Sequence, residues 1–364
     1  MSAIAGIIDF NHKEIPEEDI DTINIVSSSF ATDRTDSVRE PGLFFSCSHQ
    51  YFTNEAVKDI SPIASDNKDV IFNADIYLYN RDELIDMLVK KNDFKKDFLT
   101  MKGDSELAYL MYLNYGISFV NMLDGIFAIV INDARINSLF LITDYVAGRP
   151  LAYTLSDNRL YFSTTLHVVS ALIKEPELDE EWISVAYADF SPVSERLLGH
   201  SVYKNIFRIK PGHYVKITPT DIRSNESEIF TEDIEYWNPL KTVKPLKLSS
   251  DEEYKNLFRD TFTKAVKKTL RARNRTGVFL SGGLDSSSVA SVAAEELSKS
   301  NTELFSYTQV PCPEYKCKNS NLYIEDETTE VLKNQKRHPN IKCSFIPPRQ
   351  DCVKCALRIP PLVS

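Results

Sequence analysis

Residues 281–286 read Ser-Gly-Gly-Leu-Asp-Ser, set between the apolar run Val278, Phe279, Leu280 and a stretch of helical apolar period that begins at Ser287. A strand-to-helix turn of this composition suits one kind of chemistry. Gly282 and Gly283 have no side chain, so their backbone N–H groups can approach an anion closely. The helix that follows points its partial positive charge and unpaired donors at the same spot, and the hydroxyls of Ser281 and Ser286 add to them. Together they describe a pyrophosphate cradle. Asp285 places a carboxylate at its rim, which suits Mg²⁺ shared with phosphate oxygens, because magnesium favours one or two carboxylates plus substrate oxygens. No lysine follows the glycines, so this is not a Walker A loop. A plain turn capped by Asp285 or Ser286 would use the same residue types, but glycine is scarce here, 11 in 364 residues, against a background of about 7%.

The elements that must position this turn follow from pattern and composition. A chain of 364 residues, 43% apolar and 26% charged, exceeds one ordinary domain. Strands are expected at 3–10, 43–48, 70–74, 126–131, 139–143, 159–163 and 213–217, and helices at 81–91, 105–115, 166–172 and 181–188, a mixture that reads as sheet layers with helices packed outside. Residues 238–249 carry two prolines and no sustained period, which marks a domain boundary. Beyond it, Ser250 and Glu253 form a capping box for a long helix whose apolar face runs from Tyr254 through Leu257, Phe258, Phe262, Ala265 and Val266 to Leu270. Strands at 277–280, 304–310 and 341–346 then alternate with helices at 287–297 and 326–333, the order of a parallel, doubly wound sheet.

Charge and composition narrow the function class. A net charge of −10 speaks against a nucleic-acid scaffold, since phosphate binding needs an excess of Lys and Arg over a face. The chain has no run of about 18 apolar residues. Its first ten residues lack a basic region and carry Asp9, so a soluble, cytoplasmic protein with no membrane partner is expected. Six cysteines are too few for a disulfide scaffold. Cys352-x-x-Cys355, near Cys312, Cys317 and Cys343, lacks the partner pair of a zinc ribbon. The basic run Lys264, Lys267, Lys268, Arg271, Arg273, Arg275 reads as a solvated helix face, and His49, His167 and His213 are isolated and receive no role.

Residues 281–286 resemble the SGGxDS loop of the ATP pyrophosphatases that split ATP into AMP and pyrophosphate. The rest of the chain, to about residue 346, is similar to the asparagine synthetase family. The likeness rests on Ile4 to Ile7, Gly103-Asp104-Ser105-Glu106, Leu123-Asp124-Gly125-Ile126-Phe127-Ala128, Asp144 with Gly148-Arg149-Pro150-Leu151, Pro211-Gly212-His213, and Tyr236-Trp237. It implies an α+β then α/β protein: a glutaminase-type (Ntn-like) αββα sandwich over 1–237, a linker over 238–249, a partial doubly wound ATP-pyrophosphatase domain over 250–346, and an unmatched tail over 347–364. In that picture Leu280, Ser281, Gly282, Gly283, Asp285 and Ser286 hold ATP, Asp285 takes Mg²⁺, Tyr307 contacts adenosine, and Asp326 and Glu327 open the next helix.

The same resemblance exposes three departures. A working glutaminase of the family has an N-terminal Cys at position 2, where this chain has Ser2 followed by Ala3; the family's Arg-Gly-Pro-Asp is reduced to Arg34-Thr35-Asp36, and its Asn-Gly-Glu reads Asn73-Ala74-Asp75. A hydroxyl is a far weaker nucleophile than a thiolate at neutral pH. Ser2 is therefore expected to be inactive, no catalytic residue is assigned, and the N-terminal half becomes a scaffold or partner surface. The expected activity is an AMP-forming amide ligase that activates a carboxylate, of aspartate or of a precursor peptide, as an acyl-AMP for attack by an amine. The opening residues and the segment 144–151 look most like lasso-peptide cyclases of Gram-positive bacteria, which implies a peptide-leader-binding partner or a protease. The alternatives are an ammonia-using asparagine synthase, an inactive remnant, and a tRNA-modifying ATP pyrophosphatase, against which the acidic charge counts. The short synthetase half and the unmatched tail are the expected result of a frameshift or early stop, which would leave a sheet edge and face uncovered.

Overall fold

The computed structural model describes residues 2–29, 33–92, 94–173, 175–188, 197–219, 229–312 and 326–348. It divides into two compact units, Met1–Pro245 and Leu246–Ser364.

The first unit is built from β1 (Ala3–Asp9), α1 (Glu17–Ser27), β2 (Arg34–Glu40), β3 (Leu43–His49), β4 (Ile63–Ala64), β5 (Val70–Leu78), α2 (Arg81–Asn92), α3 (Lys96–Thr100) and α4 (Asp104–Tyr115). It continues with β6 (Gly125–Asp133), β7 (Ser138–Thr143), β8 (Ala152–Ser156), β9 (Arg159–Ser163), α5 (Leu166–Leu172), α6 (Glu180–Ala188), β10 (Phe207–Arg208), β11 (His213–Pro219), β12 (Ile229–Glu235) and α7 (Pro239–Thr242). Two six-stranded sheets result, one ordered β10-β8-β9-β1-β3-β2 and the other β12-β11-β7-β6-β5-β4. All their pairings are antiparallel.

Three apolar layers make this an αββα sandwich. Ile4, Ile8, Phe45 and Cys47 of the first sheet meet Ile71, Val130, Leu141 and Ile217 of the second. On the outer face of the first sheet, Ala5, Ile7 and Phe44 pack with Ile20 and Ile23 of α1 and Val168 and Val169 of α5. On the outer face of the second, Phe72, Phe127, Ile129 and Phe140 pack with Leu84 and Ile85 of α2 and Leu107 and Met111 of α4. β1 is buried on both sides, which is why its sequence is continuously apolar rather than alternating. The edge strands β2 and β12 alternate between partly buried and exposed and are mostly polar, so no hydrophobic run announces them.

The second unit contains α8 (Asp251–Lys268), β13 (Thr276–Phe279), α9 (Leu284–Ser298), β14 (Leu304–Gln309), α10 (Thr328–Arg337) and β15 (Ile341–Ile346). The three strands pair in parallel in the order β13-β14-β15, so α9 and α10 are the first two crossovers of a parallel sheet. Val266 of α8, Ala290, Ala293 and Ala294 of α9, and Val331 of α10 form one core with Leu304 and Ile341, which places these helices on one face of the strands. The other face presents Phe279 and Tyr307. Half of the capping box expected for α8 forms, with the Glu253 N–H donating to Ser250 Oγ over 3.3 Å, while the Glu253 carboxylate accepts from the Ser249 N–H (2.8 Å) instead of that of Ser250. Its apolar face divides: Phe262, Val266 and Leu270 pack into the core, while Tyr254, Leu257 and Phe258 remain exposed. No helix among the described residues is long and apolar enough to cross a membrane.

Candidate functional site

The Ser281 to Ser286 turn leaves β13 and enters α9 with its polar groups ordered. Leu280 is buried; its N–H donates to the Tyr307 carbonyl (3.0 Å) and its own carbonyl accepts from Thr308 Oγ (2.7 Å), which pins the strand end to β14. The Ser281 N–H donates to Ser286 Oγ (3.1 Å), the two hydroxyls lie 2.8 Å apart, and the Gly283 N–H donates to Ser281 Oγ (3.2 Å). Gly283 stands at the helix N-cap and has no side chain to cap with. The N–H groups of Gly282, Leu284, Asp285 and Ser286 therefore have no protein acceptor among the described residues. Four unpaired donors in and just before the first turn of a helix are suited to phosphate oxygens.

Asp285 is exposed in the first turn of α9, where a cation bridging to phosphate would meet it. The donor set fits a nucleotide with Mg²⁺, which takes one or two carboxylates and completes its shell with phosphate oxygens and water. No group of three or more His, Cys, Asp or Glu among the described residues makes a metal cluster. Tyr307 is 40% exposed on the sheet face away from the helices, in register with Phe279. Asp326 accepts from the Thr328 N–H (2.9 Å) and so caps α10. Cys317, Cys352, Cys355 and most of the tail lie outside the described residues; Cys312 and Cys343 are free thiols.

In the first unit, Ser2 sits at the mouth of a cavity of about 40 Å³ whose other walls include His49, Gln50, Asp59, Asp75, Asp104, Ser105 and Arg149. These residues come from distant segments, joined by strand pairing. Ala3 opposes Ser48, which brings His49 and Gln50 to Ser2, and the Gln50 N–H donates to Ser2 Oγ (3.0 Å). Asp144 is fully buried and accepts from the N–H groups of Phe127, Val146, Gly148 and Arg149, shaping the turn that delivers the Arg149 guanidinium to Asp75 (3.0 Å). Burial lifts Asp75 to about 6 against the pull of Arg149. His49 lies 3.0 Å from the Ser61 carbonyl and 3.2 Å from Asp36, and its burial lowers its proton affinity.

Polar groups of β5 next to this cavity are engaged within the protein. The Asn73 Nδ2 donates to the Ser46 carbonyl (2.9 Å), Ser61 Oγ donates to Asn73 Oδ1 (3.0 Å), and the Ala74 N–H donates to Ser61 Oγ (2.9 Å). An oxyanion hole needs N–H groups directed at the developing charge rather than into the protein. Arg34 and Asp36 pair with each other (2.7 Å) on the edge strand β2. His49, given no role from sequence, is part of this pocket, and only the β1–β3 register reveals it.

Asp59 is also buried here. It accepts from Ser105 Oγ (2.7 Å) and the Ser105 N–H (3.2 Å), so it caps α4 from a distant loop. Gly103 is the residue that admits it, because a Cβ there would stand 1.9 Å from Asp59 Oδ1. Burial raises Asp59 to about 7 from an ordinary 3.8. A carboxyl whose folded-state pKa is raised contributes stability that is full below its unfolded value and is lost as pH rises through the folded one. The melting temperature is therefore expected to fall by several degrees, on the order of 5 °C, between about pH 4.5 and pH 7.5. Asp59→Asn, which keeps an acceptor for Ser105, should flatten the upper part of that window. A wild-type profile that rises across it would contradict the assignment.

Residues 1–228 match the family model of the glutamine amidotransferase domain and residues 257–316 that of asparagine synthase. The first match takes more than half of the chain and defines a glutamine amidotransferase-domain protein. The chain belongs to the asparagine synthetase (glutamine-hydrolysing) family. It is 32% identical to an amidase of Gibberella zeae over 59% of this chain and 30% of that protein. It is 27% identical to asparagine synthetase (glutamine-hydrolysing) 2 of Bacillus subtilis over 66% of this chain and 31% of that protein. A protein of Methanocaldococcus jannaschii named as an asparagine synthetase is 25% identical over 91% of this chain and 66% of its own length. The chain thus spans about a third of the first two relatives.

Proposed function

We propose that this chain carries the nucleotide loop of an ATP-dependent, AMP-forming amide ligase and takes its amine from a source other than glutamine. The observation that carries this reading is the set of four unpartnered N–H groups in the Ser281 to Ser286 turn. They would hold the phosphates, with Asp285 at the rim to hold Mg²⁺; bound there, the ion would neutralise charge on the departing pyrophosphate. A carboxylate is a poor acyl donor because of its charge and resonance, and converting it to an acyl-AMP gives it a good leaving group. An amine then attacks the acyl carbon and AMP departs.

The substrate reading is a carboxylate of aspartate or of a peptide. The occupied donors around Ser2 favour an amine brought by ammonia or by the substrate itself, the latter being the peptide macrolactam cyclase reading. ATP–pyrophosphate exchange with aspartate and with aspartyl peptides tests the ligase: exchange dependent on a carboxylate supports it, and its absence with every acid leaves a non-catalytic remnant.

The first unit supplies its own test. Ser2→Cys restores the thiol but not the oxyanion donors, whose loss is worth on the order of 10²–10³ in rate. Ammonia release from glutamine should therefore stay at background in Ser2→Cys and be unaffected by Ser2→Ala. Rapid release by Ser2→Cys would overturn the reading of this pocket.

A further inference from the structure

Asn334 is an anomaly in α10. It is 8% exposed, one turn from the fully buried Val331, on a stripe where an apolar residue would fit the core. A buried amide is kept only where its hydrogen bonds are made. Its Nδ2 donates to Ser287 Oγ over 2.9 Å, and that hydroxyl donates in turn to the Ser281 carbonyl over 3.3 Å. Ser286 Oγ reaches the same carbonyl at 3.3 Å. A second contact links the same helix to the same turn: a Cβ on Gly282 would stand 2.9 Å from Glu330 Cβ.

The consequence follows from the geometry of one peptide unit. The Ser281 carbonyl and the Gly282 N–H belong to the same planar trans peptide and point in opposite directions. Drawing the carbonyl back onto the hydroxyls of α9 turns the N–H away from them, where no acceptor among the described residues meets it. A flip of this peptide would present a carbonyl dipole to the anion instead. Glycine at 282 makes such a flip cheap, because it tolerates both signs of φ. We infer that Asn334 is a positioning residue for the anion loop, acting through Ser287 to hold the Ser281–Gly282 peptide in its anion-binding orientation. This rests on the nucleotide reading of the loop given above.

The experiment uses the full chain with Asn334→Leu, Ser287→Ala and the double variant, reading MgATP binding by calorimetry and hydrogen exchange at the Gly282 amide without nucleotide. Asn334→Leu should weaken MgATP binding about tenfold, the energy of one hydrogen bond to a charged site. It should also slow exchange at Gly282, whose unpartnered N–H a flip would turn toward the Ser286 and Ser287 hydroxyls, while leaving exchange in β14 and the melting temperature unchanged. Ser287→Ala should do the same, and the double variant should add nothing to either. Unchanged exchange at Gly282, or additive losses, overturns the inference. If the wild-type chain binds no MgATP, the nucleotide reading fails, and the inference for this loop fails with it, whereas the exchange data alone then report only the hydrogen-bond chain.

Discussion

Asp285→Ala is expected to abolish ATP–pyrophosphate exchange, with a drop of at least about 100-fold, the scale on which removing one electrostatic group at a developing charge acts. Asp285 is exposed and follows Gly283, the residue that occupies the N-cap, so helix capping does not account for it. An acidic side chain in the first turn of a helix stabilises by only about 0.3–1 kcal/mol. The melting temperature should therefore move by a few degrees at most while exchange disappears. Asp285→Asn keeps size and polarity but not charge, and should behave like the alanine variant if the carboxylate meets a cation. A variant that exchanges normally but melts early would reduce Asp285 to a helix-end charge.

The largest stability effect is expected at Arg81, in the first unit. Its guanidinium is buried and donates to Asp104 Oδ1 (2.8 Å), to the Thr100 carbonyl (2.9 Å), to the Leu99 carbonyl (3.4 Å) and to the Lys102 carbonyl. One side chain thus satisfies the end of α3 and pairs with the first residue of α4, whose other carboxylate oxygen accepts from the Leu78 N–H (2.8 Å). Truncation to alanine leaves a buried carboxylate without its Arg81 partner, and two carbonyls at the end of α3 and the Lys102 carbonyl beyond it without this donor. Breaking a buried pair in this way costs about 3–5 kcal/mol. Urea denaturation followed by far-UV circular dichroism should show that loss. Lysine should not rescue it, because a single ammonium lacks the planar fork that serves acceptors on two helices. A loss under about 1 kcal/mol would mean the pair is dispensable. Because Asp104 and Ser105 line the Ser2 cavity, the same variant should also disturb that pocket.

Elements with a strong local signal were legible. β9 occupies 159–163 and α5 occupies 166–172, as their apolar spacing predicts, and every expected strand of the second unit forms. α1 was not legible: it begins after Pro16 with three acidic residues, and its buried positions, Ile20, Ile23 and Ser27, are few. β5 runs on to Leu78, past the expected end at 74, because the polar Asn73 and Asp75 interrupt the apolar run while the strand continues. α9 begins at Leu284, three residues before the expected start, since Gly283 takes the N-cap and the turn is shorter than its polarity suggests.

The two candidate sites divide in the same way. The Ser281 to Ser286 turn is contiguous, so residue type and order were sufficient to predict a strand-to-helix turn, which forms between β13 and α9. The departures at Ser2, Ala74 and Asp75 were equally plain, because they are substitutions within short motifs. Tertiary structure alone decided what surrounds those residues. The Ser2 cavity is assembled from Ser2, His49, Asp59, Asp75, Asp104 and Arg149, which no local period relates and only sheet register and loop placement bring together. Whether Asn73 and Ala74 offer their N–H groups to a ligand or spend them on Ser46 and Ser61 depends on β3 of the facing sheet and on the segment before β4. The role of Asn334 likewise depends on α10 lying against the turn. Local sequence sets what a backbone segment can donate, whereas long-range packing determines which of those donors remain free.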